Sequence, residues 1–188
     1  MDALLVSTLA VAVAEIGDKT QLLALVLAAR YRKPWPIIAG ILVATLLNHA
    51  LAGWIGSLVA GWVSPELLRW GVVLSFLAVA AWALVPDKLD EDEAKAPRFG
   101  PFLATLVAFF IVEIGDKTQV ATVVLAAQYE PLWQVVAGTT LGMALANVPV
   151  VLLGAAFAAK LPLKAARYAA AALFAGLGLW VAVMGLPG

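Results

Sequence analysis

Glu15-Ile16-Gly17-Asp18-Lys19-Thr20-Gln21 lies near the middle of an otherwise apolar run from Asp2 to Ala29, and it occurs twice. The same seven residues return as Glu113-Ile114-Gly115-Asp116-Lys117-Thr118-Gln119 inside a second apolar run, Phe102 to Ala127. The offset is 98 residues without a gap, and residues 15–31 agree with 113–129 at 12 of 17 positions, too many for apolar composition alone. Fainter matches continue through Trp35/Trp133, Gly40/Gly138, Gly56/Gly154, Arg69/Arg167, Phe76/Phe174 and Trp82/Trp180. The chain reads as two copies of one unit.

Composition says what surrounds those copies. Of 188 residues 64% are hydrophobic and 13% charged, the net charge is zero and mean hydropathy is +0.99. A soluble domain carries about 25% charged residues, so this chain cannot cover a water-facing surface and is expected to be an integral membrane protein in contact with the lipid bilayer. The neutral balance leaves no basic face for nucleic acid. With no cysteine there are no disulfides, thiolate nucleophiles or soft-ligand metal sites. A single histidine, His49, leaves little scope for imidazole ligation.

A hydrocarbon core of roughly 30 Å needs about 20 helical residues. Six apolar runs have that length: Asp2–Ala29, Pro36–Ala60, Glu66–Val85, Phe102–Ala127, Trp133–Ala159 and Lys164–Leu186. The breaks between them hold proline or clustered charge, which suits an interface and opposes a helix interior. The runs are too long and too uniform for barrel strands. The first begins Met1-Asp2 without a basic region and contains Glu15 and Asp18, so it is expected to be a retained helix rather than a signal peptide.

If the six runs alternate, one side receives Arg30, Arg32, Lys33, Lys88, Lys95, Arg98, Lys160, Lys164 and Arg167, and the other only Arg69. The positive-inside rule then places the loops after the first, third and fifth spans in the cytoplasm and both termini outside. The expected location is a bacterial inner (cytoplasmic) membrane. The expected organisation is a three-helix repeat over 1–86, an acidic cytoplasmic linker over 87–100, and a second three-helix repeat over 101–188. Asp90-Glu91-Asp92-Glu93 in the linker reads as a solvated run before it reads as a metal site.

The expected fold class is therefore all-α integral membrane, six transmembrane helices in two inverted-topology repeats. Three spans per copy is odd, so the second copy enters the membrane from the opposite side. Transporters built this way place the substrate site near the midplane, where the halves meet.

Glu15 and Asp18 are three residues apart, as are Glu113 and Asp116, so each pair faces one side of its helix. With Lys19 and Lys117 they make six ionisable groups at depth, which cost on the order of 15 to 20 kcal/mol on insertion scales before pairing. Lysine–aspartate pairing as interhelical glue would use some of them. Four acids against two lysines still leave a formal charge of about minus two, which one divalent cation or two protons would balance. Thr20, Thr118, Gln21 and Gln119 extend the carboxylates to an all-oxygen ligand set, suited to Mn2+ or Ca2+ ahead of strongly hydrated Mg2+. Lys19 and Lys117 are read as charge-balancing groups. Gly17 and Gly115 serve either close helix packing or a local unwinding that frees carbonyls. Asn48, His49 and Asn147 are the next polar groups at depth and could surround the site; Asn147 aligns with His49 across the repeat.

A doubled Glu-x-Gly-Asp-Lys-Thr in a small six-span chain resembles the GDT family of cation/proton exchangers, also called the second calcium/cation antiporter family. The resemblance covers essentially the whole chain with both motifs intact. It implies export of manganese or calcium in exchange for protons, with Glu15, Asp18, Thr20, Glu113, Asp116 and Thr118 as ligands. The glutamines and asparagines extend that set on the chemistry of this sequence alone.

The expected function is thus secondary active export of a divalent cation, Mn2+ or Ca2+, against protons. No prosthetic group and no enzymatic activity are expected; metal, protons and lipid are the partners, and homo-oligomers remain open. A divalent cation channel and an exporter of small organic cations or amino acids are the alternatives, the latter using the lysines as carboxylate anchors.

Overall fold

The computed structural model describes residues 2–86 and 100–186; apart from Gly100 the acidic linker, with its Asp90–Glu93 run, lies outside the described residues. Among the described residues the chain is helical without strands: α1 (Ala3–Ala14), α2 (Lys19–Tyr31), α3 (Pro34–Trp62), α4 (Pro65–Ala83), α5 (Pro101–Glu113), α6 (Lys117–Gln128), α7 (Leu132–Leu153), α8 (Ala155–Ala158) and α9 (Leu163–Met184). Starts follow from local chemistry. The Asp2 carboxylate accepts from the Leu4 and Leu5 N–H groups, Ser64 Oγ accepts from Leu67 N–H, and prolines occupy the first turns of α3, α4 and α5.

Four helices, α3, α4, α7 and α9, are long and apolar enough to cross a membrane. Their surface is inverted relative to a soluble protein. Trp62, Val183 and Trp35 are 87, 77 and 73% exposed, whereas Glu15, Asp18, Asn48 and Glu113 have no exposure. That distribution suits lipid outside and polar chemistry inside.

The second, third and sixth expected spans agree with α3, α4 and α9 to within two residues at each end. The first and fourth do not form continuous helices. Each breaks at its motif into two half-length pieces, α1–α2 and α5–α6, because the motif glycine takes a left-handed conformation: φ is 83° at Gly17 and 75° at Gly115. The fifth expected span, to Ala159, is cut short as α7 ends at Gly154, φ 73°.

Small residues set how closely the broken helices approach the unbroken ones. α1 lies on α7, where a Cβ at Gly138 would stand 2.6 Å from the Leu4 carbonyl oxygen, and one at Gly142 would stand 2.6 Å from that of Thr8. α5 lies on α3 in the same manner, with a Cβ at Gly40 falling 2.7 Å from the Phe102 carbonyl oxygen. Gly40 and Gly138 are repeat equivalents. Without a hydrophobic force between helices in lipid, such backbone contact supplies the packing. Gly142→Val is accordingly expected to destabilise the protein by about 3 kcal/mol, because the obstacle is backbone that cannot rotate away. Gly176→Ala, whose added methyl meets nothing within 4 Å among the described residues, is the neutral comparison. Thermal denaturation in detergent checks both; equal stability of the two variants contradicts the packing account.

α4 and α9 form an antiparallel pair. Phe76 stacks on Phe174 with ring centroids 6.1 Å apart, and the Arg69 guanidinium donates to the Val181 and Ala182 carbonyls. The pair packs against α6 through α4 and against α1 through α9. One core cluster joins α1, α4, α6 and α9 around Phe76, Leu125 and Phe174. A second lies chiefly among α2, α3, α5 and α7, around Leu23, Ile41 and Phe109.

Candidate metal centre at the two helix breaks

The breaks bring the motif together. Asp18 caps α2 and Asp116 caps α6, each accepting from the backbone N–H two residues on (Thr20 and Thr118) at 3.4 Å. Each aspartate therefore sits at a helix N-terminus, where free N–H groups favour negative charge. The lysines cross between halves. Lys117 Nζ bonds Asp18 Oδ1, and Lys19 Nζ lies 3.8 Å from Asp116 Oδ1.

Carboxylate oxygens of Glu15, Asp18 and Asp116, all buried, lie within 4.8 Å of one another. Oxygens sharing one Ca2+ at 2.3–2.6 Å can be no more than about 5 Å apart, so this spacing suits a single hard cation. Thr20 Oγ1 donates to Glu15 Oε2 and stands 3.3 Å from Asp18 Oδ2; Thr118 Oγ1 donates to Asp116 Oδ2 at 3.2 Å. Glu15 Oε1 is buried and has no hydrogen-bond partner among the described residues. Leaving a buried carboxylate oxygen unsatisfied is costly.

The fourth carboxylate is placed differently. Glu113 does not join the group of three. Its Oε1 accepts from Thr45 Oγ1 and its Oε2 from Asn48 Nδ2, both at 2.8 Å, from α3. The expected convergence of all four acids thus becomes three plus one held by a neighbouring helix.

Other expected site residues fall into distinct positions. Gln21 and Gln119 turn their amide oxygens back onto the Gly17 and Gly115 N–H groups at 2.9 and 2.7 Å. Their Nε2 atoms reach the Ala146 carbonyl at 3.0 Å and Asn48 Oδ1 at 3.5 Å, positions equivalent in the repeat. The glutamines thus brace the breaks. The glycines serve unwinding at both copies. A Cβ at Gly17 would meet Leu163 Cδ2 at 2.9 Å, while one at Gly115 would meet nothing within 4 Å among the described residues, so α9 covers one break and no described helix covers the other. Of the three outlying polar residues, only Asn48 bonds a motif side chain. Both ring nitrogens of buried His49 are without hydrogen bonds among the described residues, and Asn147 Nδ2 donates within α7 to the Met143 carbonyl at 3.1 Å.

Sequence reading missed Thr45 and Leu163. Thr45 carried one signal: it stands three residues before Asn48, on the same helix face. Leu163 carried none, being one leucine among many.

The family model described as divalent cation/proton antiporter GDT1 matches residues 3–91 and 101–187. A Vibrio cholerae protein named "Putative manganese exporter" is 59% identical over 175 residues, covering 93% of this chain and 87% of that protein. The Synechocystis GDT1-like protein sll0615 is 29% identical over 189 residues, covering 88% and 89%. The rice GDT1-like protein 3 is 26% identical over 204 residues, covering 95% and 72%. No solved structure matches the chain. A family match over both halves, with both motifs built into one buried acidic centre, makes this chain a member of the divalent cation/proton antiporter GDT1 family, a family of transporters rather than enzymes.

Proposed function

We propose that the protein exports a divalent cation, Mn2+ or Ca2+, from the cytoplasm in exchange for protons, by alternating access to the site between the two helix breaks. The observation that carries this reading is the group of Glu15, Asp18 and Asp116, whose buried oxygens lie within 4.8 Å of one another, with Glu15 Oε1 unpartnered among the described residues. Glu15, Asp18 and Asp116 bind the ion, with the Thr20 and Thr118 hydroxyls able to turn their oxygens toward it. Lys117 and Lys19 hold the carboxylates when the ion has left, so exchange for protons never leaves the centre far from neutral. The manganese exporter named among the relatives favours Mn2+ as cargo and export as direction.

The architecture behind this is six membrane crossings in two inverted repeats, 1–86 and 101–188, joined by the 87–100 linker. The halves of the first and fourth crossings are α1–α2 and α5–α6. Their pairing supports the reading: α1 lies on α7 of the other repeat, and α5 reciprocally on α3. The α4–α9 pair breaks the two-fold relation, because α4 packs on α6 while α9 packs on α1 rather than on α2. Packing that prefers one half of each broken crossing is what a state open to one side requires; the opposite state would exchange these contacts for α4 on α5 and α9 on α2. By the distribution of Lys and Arg, α2 and α5 face the cytoplasm and the termini lie outside.

Reconstituted in vesicles, the protein is expected to move Mn2+ against its gradient when a pH gradient is imposed, and to move protons when a Mn2+ gradient is imposed. Mn2+ flux indifferent to the pH gradient, or a sustained conductance without counter-flux, contradicts exchange and favours a channel.

A further inference from the structure

We propose that Thr45 and Asn48 are positioning residues that hold the Glu113 carboxylate out of the ion's coordination sphere, so that the two sequence-identical motifs perform different tasks. The inference rests on the cation site proposed above and concerns how that site lets go of its ion.

Both Glu113 oxygens are occupied by donors from α3, Thr45 Oγ1 and Asn48 Nδ2, at 2.8 Å each. Asn48 is itself fixed. Its amide also donates to the Phe110 carbonyl at 3.1 Å, and its Oδ1 faces Gln119 Nε2 at 3.5 Å. Glu15, the repeat equivalent of Glu113, has no such hold. The positions equivalent to Thr45 and Asn48 are Met143 and Ala146 on α7, whose side chains donate no hydrogen bond. Glu15 accepts from Thr20 of its own motif, and among the described residues its Oε1 keeps no hydrogen-bond partner. The difference is therefore written into the side chains of α3 and α7. It persists whichever side the centre opens to, and a change of conformation alone cannot remove it.

The consequence is a limit on affinity. Affinity for a hard cation rises with the number of charged ligands in the site. With Glu113 withheld, three carboxylates face the ion and release stays rapid; with Glu113 admitted, four would face it and the ion would be retained.

The experiment measures Mn2+ affinity by calorimetry on purified protein in detergent, beside maximal Mn2+ flux in vesicles, for Thr45→Val, Thr45→Ser and Met143→Thr. Thr45→Val, nearly the same shape without the donor, is expected to bind Mn2+ more tightly by on the order of tenfold and to transport with a lower maximal rate. Thr45→Ser is expected to behave as the parent does. Met143→Thr, which supplies Glu15 with the missing hydroxyl, is expected to weaken Mn2+ binding. A merely structural role for Thr45 would lower stability and leave affinity unchanged, and that result overturns the proposal, as does weaker binding by Thr45→Val. Should Thr45→Val not fold, unchanged or tighter binding by Met143→Thr overturns it equally. Failure of the site itself would appear elsewhere, as undiminished Mn2+ binding by Glu15→Gln.

Discussion

Glu15→Gln is expected to reduce Mn2+ affinity by at least roughly 100-fold and to bring transport to background. Altering a group that only orients a metal ligand costs about 10- to 100-fold in affinity, so losing a charged ligand should exceed the upper figure. Glu15 is the one motif carboxylate in the group of three with an oxygen that nothing in the described chain satisfies. The substitution keeps shape and removes charge, so stability should hold. Glu113→Gln makes the informative comparison. Although the motifs are identical, Glu113 is bonded to Thr45 and Asn48 and stands outside that group, so this variant should keep Mn2+ affinity within about tenfold of the parent while losing transport. Isothermal titration and vesicle flux separate the two quantities. Equal loss of affinity in both variants would restore the reading in which four carboxylates share the ion.

Lys117→Met should be the most destabilising single change in the centre, by about 3 to 5 kcal/mol for breaking a buried ion pair. Lys117 is 3% exposed and pairs with fully buried Asp18 of the other half. Without it, four carboxylates face one ammonium, and the formal local charge moves from about minus two to about minus three. A cation in solution should offset the loss by binding only the folded state. Saturating Mn2+ is therefore expected to raise the melting temperature of Lys117→Met more than that of the parent. Asp18→Asn combined with Lys117→Met removes both charges and should recover most of the stability. Transport should stay at background, since a ligand has gone with the pair. The double variant thus separates two roles for the same residues: if the pair were only interhelical glue, recovery of stability would restore transport as well. Melting in detergent with and without Mn2+, beside flux, checks both outcomes.

Much of this protein is legible in its sequence. The apolar runs announced the membrane because a chain with 13% charged residues has no other solvent to meet. Three of the six runs became single helices with both ends within two residues, since proline, the Ser64 cap and clustered charge act locally. The repeated seven residues located the acidic centre because carboxylates at depth are too costly to lack a task. Gln21 and Gln119 show what the residue types leave unstated. Both amide oxygens accept from a glycine N–H within their own motif, an arrangement that exists only because the helix breaks there.

What the sequence determined by itself was the membrane setting, the duplication, and the identity of the charged residues that repeat, all of which follow from composition, period and repetition along one chain. Tertiary structure alone decided that the motif helices break, that each lysine answers the other half's aspartate, and that Glu113 is held by Thr45. Glu113 and Thr45 are 68 residues apart, and Lys117 and Asp18 are 99 apart. No local rule pairs residues at such distances. The physical reason is that two identical motifs have identical propensities, so their difference must come from what stands opposite them: Thr45 and Asn48 on one side, Met143 and Ala146 on the other.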